Sequence, residues 1–455
     1  MDNDLFHYQH EGARWLLDPL APNKFRLLAD EMRLGKTAQV LEAINLDTSI
    51  SRVLVVCPAI ARPVWEAERE TFSRRTYHIS VVSYDSTFQK GSKKLQPKKE
   101  LLQPWDLLVL DECHYLANPD TARTRVSYLH LAPYAKRVWC LSGTPARNHN
   151  GDMYTFLRAA GVITMICSAF AARYCVIRHT VYGDQIVGSQ RTDELKTLLA
   201  PHCLRRRKAD VLPQLPPISF HHTPVEAGLV DVKRWYPEIY LGMTDLETVK
   251  TQVAQEIATI DAMARTMGGE TDDFAKALSA LQARTNASRR WTELQKCLPV
   301  AEMITDELDS GAYEKIVLFC WHANAVEEMW YQLKQFNPVR VWGATSDRNR
   351  RKAEREFQND PKCRVFIGNI QAAGVAINLN AAHEVAFLGS SYVPSDNAQA
   401  AMRCHDVRQL HPVRVRFFYI PGTTDEKVQK ILKRKTRDLV QLFDDPKPVD
   451  IFAED

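Results

Sequence analysis

The chain lacks any apolar run long enough to cross a bilayer. Its longest, Val53 to Ala61, is broken by Pro58 and falls far short of the ~20 residues a spanning helix needs, so no membrane partner is expected. Paired cysteines are missing too: ten cysteines are scattered with no Cys-X-X-Cys among them. With the acidic start Met-Asp-Asn-Asp and no apolar signal segment behind it, this predicts a reducing, cytoplasmic setting. No charge sign dominates. Lys and Arg number 59 against 55 Asp and Glu, a net +4, so an anionic polymer has to be met by a local patch and not by a global field. Low-complexity segments and short repeats are absent as well. What remains is a chain of 455 residues, enough for roughly three domain-sized units with ample core.

Three groups of residues stand in order along it: Leu34-Gly35-Lys36-Thr37, Asp111-Glu112-Cys113-His114, and the cluster Gln399, Arg403, His405, Gln409. Phe25 to Ala29 reads as a strand and Ala38 to Leu46 as a helix, which puts Gly35-Lys36-Thr37 at a strand-to-helix turn. Such a turn aims backbone N–H groups and a helix dipole at an anion. Lys36 is then expected to reach the β and γ phosphates of ATP, with Thr37 offering its hydroxyl to Mg2+. An isolated Gly-Lys-Thr is most often an ordinary turn. The second group changes that balance. Leu107 to Leu110 is a continuous apolar run, as in a parallel strand buried on both faces, and Asp111 and Glu112 follow at its carboxyl end, where doubly wound sheets place ligand chemistry. Asp111 is expected in the Mg2+ shell and Glu112 beside the attacking water. A helix-capping acidic pair is the plainer reading, weakened by a phosphate loop roughly 75 residues upstream. Together the three groups point to an ATP-driven motor.

Short apolar strands separated by helix-like segments fill the first part: Val53 to Cys57, His78 to Val82, Leu107 to Leu110 and Val138 to Leu141. The second part repeats the pattern with Lys315 to Cys320, Val339 to Trp342, Arg364 to Ile367, Glu384 to Leu388 and Arg414 to Ile420. This alternation predicts an α/β fold with two parallel sheets, right-handed crossovers and a shared cleft. Between the halves, Val225 to Leu308 is rich in helix formers, as in Leu246 to Ile257, with a break at Gly268-Gly269. Pro213, Pro216 and Pro217 mark the exit from the first half. The expected division is a first lobe at 1–160, helical insertions and linker at 161–300, and a second lobe at 301–455. Lys90 to Glu100 reads as a lysine-rich surface loop.

These residues resemble the Swi/Snf-type DNA translocases of helicase superfamily two, over nearly the whole chain. Leu5-Phe6-His7-Tyr8-Gln9 with Gly12 resembles the family's entry motif, which implies that Gln9 contacts the adenine of ATP. Asp30-Glu31-Met32 leading into Leu34-Gly35-Lys36-Thr37 is similar to motif I, Asp111 to Asn118 to motif II, and Leu141-Ser142-Gly143-Thr144-Pro145 with Asn148 to motif III. Gln371, Gly374 and Asn378 resemble motif V. Phe170 to Cys175, Glu194-Leu195, Leu204 to Lys208, Asp210-Val211-Leu212 and Leu215-Pro216 resemble the block of HARP-like annealing helicases and their bacterial and phage relatives, which act on branched DNA. The resemblance implies two RecA-like parallel-sheet lobes with helical insertions, and ATP and Mg2+ as cofactors. It implies a DNA-stimulated ATPase that tracks on duplex or branched DNA without sequence preference, with His114, Ser142, Gly143, Thr144 and Gly374 coupling the nucleotide to the DNA. A monomer is the default, with replication, repair or nuclease proteins as partners, in a bacterial or phage-infected cell and associated with the nucleoid.

The cations expected to grip DNA phosphates are Arg205, Arg206, Arg207 and Lys208 in the first half and Arg348, Arg350, Arg351 and Lys352 near a helix start in the second. Lys427, Lys430, Arg434 and Arg437 recur at helical spacing opposite Val428, Ile431 and Leu432, where a solvated helix face is the preferred reading. Trp321 and Trp342 read as packing residues before base-stacking platforms. Cys113-His114 and Cys404-His405 fall inside the motifs and do not make a zinc site.

Two departures from the family pattern bear on catalysis. Arg33 occupies the place of the family's glycine before Leu34. A left-handed backbone there costs a non-glycine residue about 1–2 kcal/mol, whereas an ordinary backbone costs little and lets Arg33 add positive charge near the phosphates. In motif VI, Gln399, Arg403 and Gln409 match, but Asp406 stands at the second arginine position and Arg408 at the glycine. An arginine finger contributes roughly 10³ to 10⁵ in rate. Three accounts stay open: Arg408 takes the vacant place, Arg403 suffices alone, or the chain binds ATP and DNA and hydrolyses slowly. Intact Lys36, Asp111 and Glu112 favour an active enzyme with Arg403 and Arg408 as its candidate cations. A nucleotide-gated DNA clamp and the motor subunit of a restriction or defence assembly are the alternatives.

Overall fold

The computed structural model describes residues 5–89, 95–180, 183–228, 272–370 and 377–426, with 428, 429 and 432. They form two compact units, the first from residues up to 177 and from 186 to 214, the second from 178 to 185 and from 215 onward. The strands of the first unit's sheet are β1 (Phe25–Leu28), β2 (Arg52–Cys57), β3 (His78–Ser83), β4 (Trp105–Asp111), β5 (Ala135–Leu141) and β8 (Cys203–Leu204); before β8 comes a separate pair, β6 (Cys175–Thr180) and β7 (Gly183–Ser189), of which residues 178–185 count with the second unit. The first unit's sheet runs β3-β2-β4-β5-β1-β8, every pairing parallel. The apolar runs explain the sheet. Leu54, Val56, Leu108, Leu110, Val138 and Cys140 face one core layer, and Val53, Val55, Leu107, Val109, Trp139 and Leu141 face the other. A strand with period two and no polar alternation has to be covered on both sides.

The second unit repeats the plan with β9 (Ile218–Pro224), β10 (Ile316–Cys320), β11 (Val339–Val341), β12 (Val365–Asn369), β13 (Glu384–Phe387) and β14 (Val413–Tyr419). Their order is β11-β12-β10-β13-β14-β9, again all parallel. Ile316, Leu318, Val365 and Ile367 face one core layer and Val317, Phe319, Phe366 and Val385 the other. All ten strands expected from the sequence are present, with ends shifted by at most three residues.

The stretch 161–300 departs from its helical expectation, because it carries β6 to β9. β8 is two residues long, and β9 reads Ile218-Ser219-Phe220-His221-His222, with no continuous apolar run to announce it. Each is an edge strand, β8 beside β1 and β9 beside β14. The units part between Gln214 and Leu215, inside the proline-marked exit. Part of the expected helical region is seen as the helix Asp272–Asp309. Leu246 to Ile257 and Gly268-Gly269 lie outside the described residues. Pro299 sits inside that helix and, having no N–H, leaves the Gln295 carbonyl without its usual donor. Gly228 N–H supplies the bond at 2.8 Å. A Cβ on Gly228 would lie 2.8 Å from Pro299 Cδ, so the contact requires glycine. Among the described residues no helix is long and apolar enough to cross a membrane.

Candidate nucleotide site and its couplings

β1 ends at Leu28, and the chain turns through Gly35 into the helix Lys36–Leu46. Gly35 caps that helix at φ 68 and ψ 46, a left-handed conformation that glycine adopts freely. A Cβ there would lie 2.3 Å from Gln9 Nε2. Gln9 closes the cradle: its amide donates to Leu34 O at 3.3 Å, and its Oε1 accepts from Phe6 N at 2.9 Å. The entry motif is thereby pinned to the phosphate loop. Lys36 Nζ donates to the carbonyls of Asp30 at 2.9 Å and Glu31 at 3.3 Å. Burial lowers its pKa, against the pull of the Glu112, Asp30 and Asp111 carboxylates. Two neutral carbonyls compete poorly for an ammonium against a phosphate, whose charge-assisted bonds are stronger. Thr37 follows in the helix's first turn.

Arg206 braces the far side of the loop. Its Nε donates to Asp30 Oδ1 at 3.1 Å and its Nη2 to Asp30 Oδ2 at 2.5 Å, and it also bonds Gln39 Oε1 at 2.8 Å and the Tyr8 carbonyl. Arg205 Nη1 donates to Ala29 O at 2.9 Å and Gly143 O at 3.3 Å. Lys208 is 3% exposed, and its backbone N donates to Glu31 Oε2 at 2.7 Å. All three were expected on a DNA surface, and the structure turns them inward. The cause is β8, whose pairing of Leu27 with Cys203 and Leu28 with Leu204 lays residues 205–208 along the loop that follows β1. Arg207 stays outside in an ion pair with Asp210.

β4 delivers Asp111. Trp65 Nε1 donates to its Oδ2 at 2.8 Å, Glu112 N to its Oδ1 at 2.9 Å, and Tyr84 OH to its carbonyl at 2.8 Å. Burial, then the charge of Glu112, raises the Asp111 pKa above the carboxylate range, so this acidic pair favours a nearby cation. Glu112 itself is left-handed at φ 50. His114 Nδ1 lies 3.2 Å from Glu112 Oε2 and 3.0 Å from Ser142 Oγ, and Ser142 Oγ also accepts from Thr144 N at 3.1 Å. At Gly143 a Cβ would lie 2.4 Å from Met32 Cγ. His114, Ser142, Gly143 and Thr144 thus adjoin the acidic pair and the phosphate loop, while Gly374 and Gln371 lie outside the described residues. Trp65 and Tyr84 carry no motif in the sequence, since a lone aromatic has no spacing signal.

The SNF2-related domain family matches residues 8–100 and 68–289, more than half the chain. The chain belongs to the SNF2-related family. A helicase conserved C-terminal domain matches residues 299–408, so the two matches together run through both units of this SNF2-related chain. It is 29% identical over 458 residues to the SWI/SNF-related matrix-associated actin-dependent regulator of chromatin subfamily A-like protein 1 of Xenopus tropicalis, covering 97% of this chain and 45% of that protein. It is 25% identical to the human DNA annealing helicase and endonuclease ZRANB3, covering 95% of this chain and 40% of that protein. The chain thus spans less than half the length of either. Resemblance to annealing helicases is borne out in that second name. A solved structure, the Sulfolobus solfataricus SWI2/SNF2 ATPase core in complex with dsDNA, aligns over 99% of this chain and 97% of its own at 21% identity, with a TM-score of 0.43. The two named relatives are animal proteins, so the expected bacterial or phage setting finds no support in them.

In the second unit of this SNF2-related chain, the helix Pro394–Ala401 carries Gln399, and the loop after it carries the other motif VI residues. Arg403 O accepts from Leu379 N at 3.0 Å. Asp406 is 4% exposed and accepts from Asn380 Nδ2 at 3.2 Å, Arg408 N at 2.9 Å and Arg408 Nη2 at 2.7 Å. Gln409 Nε2 donates to the carbonyls of Ala382 at 2.9 Å and Cys404 at 2.8 Å, and its Oε1 accepts from Leu410 N at 3.0 Å. Asp406 and Gln409 therefore fold their own loop, and Arg408 closes on Asp406. On the helix Asp347–Asn359, Arg348, Arg351 and Lys352 are exposed opposite buried Ala353 and Phe357, and Arg350 lies 3.6 Å from Asp347. Trp321 and Trp342 are partly buried against the second unit's core, the packing role expected of them. Lys427, Lys430, Arg434 and Arg437 lie outside the described residues.

Proposed function

We propose that this chain is an ATP-driven DNA translocase acting on duplex or branched DNA. One observation carries the reading: adjacent strands β4, β5 and β1 end in Asp111-Glu112, Ser142-Gly143-Thr144 and the Lys36 loop, and His114 bridges the first two through Glu112 and Ser142. A change at the acidic pair therefore moves the 142–144 segment through direct polar contacts. Lys36 and the loop amides hold the phosphates, Gln9 orients the adenine end, and Thr37 and Asp111 are the residues that would hold Mg2+. When bound, Mg2+ neutralises charge on the transferring phosphoryl oxygens. Glu112 orients the attacking water. Gln399 and Arg403 take the nucleotide-contacting roles of motif VI that the family resemblance implies. Arg348 and Arg351 meet DNA phosphates without reading sequence. The name of the human relative supports strand annealing of DNA, and partners from replication or repair fit that role.

Steady-state ATPase at low salt, with no nucleic acid, single strand, blunt duplex and forked duplex, tests the reading. Strong stimulation by duplex or fork, lost in Lys36→Ala, is the expected result. DNA binding without stimulated turnover would instead establish a nucleotide-gated clamp. Asp406 motivated the clamp, and its enclosure within its own loop favours the motor.

A further inference from the structure

The phosphate loop holds an arginine in a backbone conformation suited to glycine. Arg33 has φ 68, the same as Gly35 two residues on, and left-handed non-glycine residues gather where function retains them. Among the described residues only four non-glycine positions have positive φ, and two of them, Arg33 and Glu112, belong to this site. Glu68, on the helix Arg62–Phe72, lies near enough to Arg33 for their charges to interact. Burial and then Asp111 push the Glu68 pKa up to about 7, while the Arg33 guanidinium draws it down. Glu68 Oε2 is buried and has no hydrogen-bond partner among the described residues. One turn back on the same helix face, Trp65 Nε1 donates to Asp111 Oδ2 at 2.8 Å. Arg33, Glu68, Trp65 and Asp111 therefore form one connected cluster beside the phosphate loop and the acidic pair. In the second unit, Arg408 is held by Asp406 at 2.7 Å.

We infer that Arg33 is a further catalytic residue: its guanidinium passes from Glu68 to the terminal phosphate of bound ATP and stabilises the charge that develops there. This rests on the ATPase reading above. During transfer, the water oxygen bonds to the γ phosphorus, the bond to the β–γ bridging oxygen breaks, ADP leaves with that electron pair, and the proton the water loses passes to the released phosphate or to solvent. Arg33 forms no covalent bond; it donates hydrogen bonds to the phosphoryl oxygens, the role of an arginine finger supplied by the loop itself. Glu68 is a positioning residue whose charge draws the guanidinium toward this edge of the loop, and its unpartnered Oε2 leaves a hold that a triphosphate outcompetes.

The test compares wild type, Arg33→Gly, Arg33→Lys and Lys36→Ala by DNA-stimulated ATPase, by affinity for ADP and for ADP–fluoroaluminate, and by the thermal midpoint of the nucleotide-free protein. Arg33→Gly is expected to lower kcat by roughly a hundredfold or more, to keep ADP affinity, and to lose the tighter binding of the fluoroaluminate complex. Its thermal midpoint holds or rises, because glycine relieves the left-handed strain. Arg33→Lys falls between, keeping charge without the planar fork. Unchanged turnover in Arg33→Gly overturns the inference, as does a loss of ADP affinity and stability in step with turnover, which is the mark of a packing role. If Lys36→Ala also turns over normally, the ATPase reading itself fails; if Arg33→Gly alone is silent, only the inference does.

Discussion

Arg206 illustrates how one side chain can serve binding without touching a ligand. It meets Asp30 with two bonds in a place where Asp30 is fully buried, so its removal strands a carboxylate in the loop that positions Lys36. Arg206→Ala is expected to destabilise the protein by about 3–5 kcal/mol, seen as a lower midpoint in urea unfolding, and Arg206→Lys is expected to recover only part of that, lacking the bidentate fork. The placing of Lys36, Asp111 and Glu112 at the ends of β1 and β4 was legible in the sequence because the apolar runs before them mark buried strands. The inward turn of Arg205, Arg206 and Lys208 was not. A run of cations reads the same whether it faces a phosphate or a carboxylate, and only the pairing of β8 with β1 decides which.

At the level of elements, Asp106 ties three strand starts together. Its carboxylate accepts from Ser51 N at 3.0 Å, Ser51 Oγ at 2.9 Å, Arg52 N at 2.9 Å and Lys136 Nζ at 2.8 Å. Burial alone would raise its pKa, but the donors from Lys136, Ser51 and Arg52 together hold it below the carboxylate range. A depressed folded pKa means that this stabilisation is present above the unfolded value, about 4, and is lost as the pH falls through the folded value. Asp106→Ala should therefore cost about 1.5–3 kcal/mol at neutral pH and progressively less below pH ~4, measured by denaturant unfolding across pH. The contact between Gly228 and Pro299 is of another kind. Gly228→Ala forces a methyl against a proline ring and is expected to cost about 1–3 kcal/mol, with the loss read as a shifted urea midpoint at unchanged slope. Neither tie is visible in sequence, because the Gln295 carbonyl that Pro299 leaves open finds its donor 67 residues back along the chain.

For the molecule as a whole, DNA affinity should rest on a few exposed cations, since net charge is only +4. In Arg348→Ala/Arg351→Ala the slope of log affinity against log salt should shrink by about 1–2, near 0.9 per lost phosphate contact, while the fold is unaffected. Arg206→Ala should change stability instead of that slope. Sequence by itself determined the fold class, the ten principal strands and the placing of the Lys36 loop, Asp111-Glu112 and Ser142 to Thr144 at the ends of β1, β4 and β5, because burial on two faces acts through residues close together in the chain. Tertiary structure alone decided that β8 and β9 complete separate sheets, that Asp406 caps its own loop, and that Arg33 adopts a left-handed backbone beside Glu68. These depend on partners far apart in the chain, as Arg206 and Asp30 are at 176 residues, and nothing local to either member of such a pair announces the other.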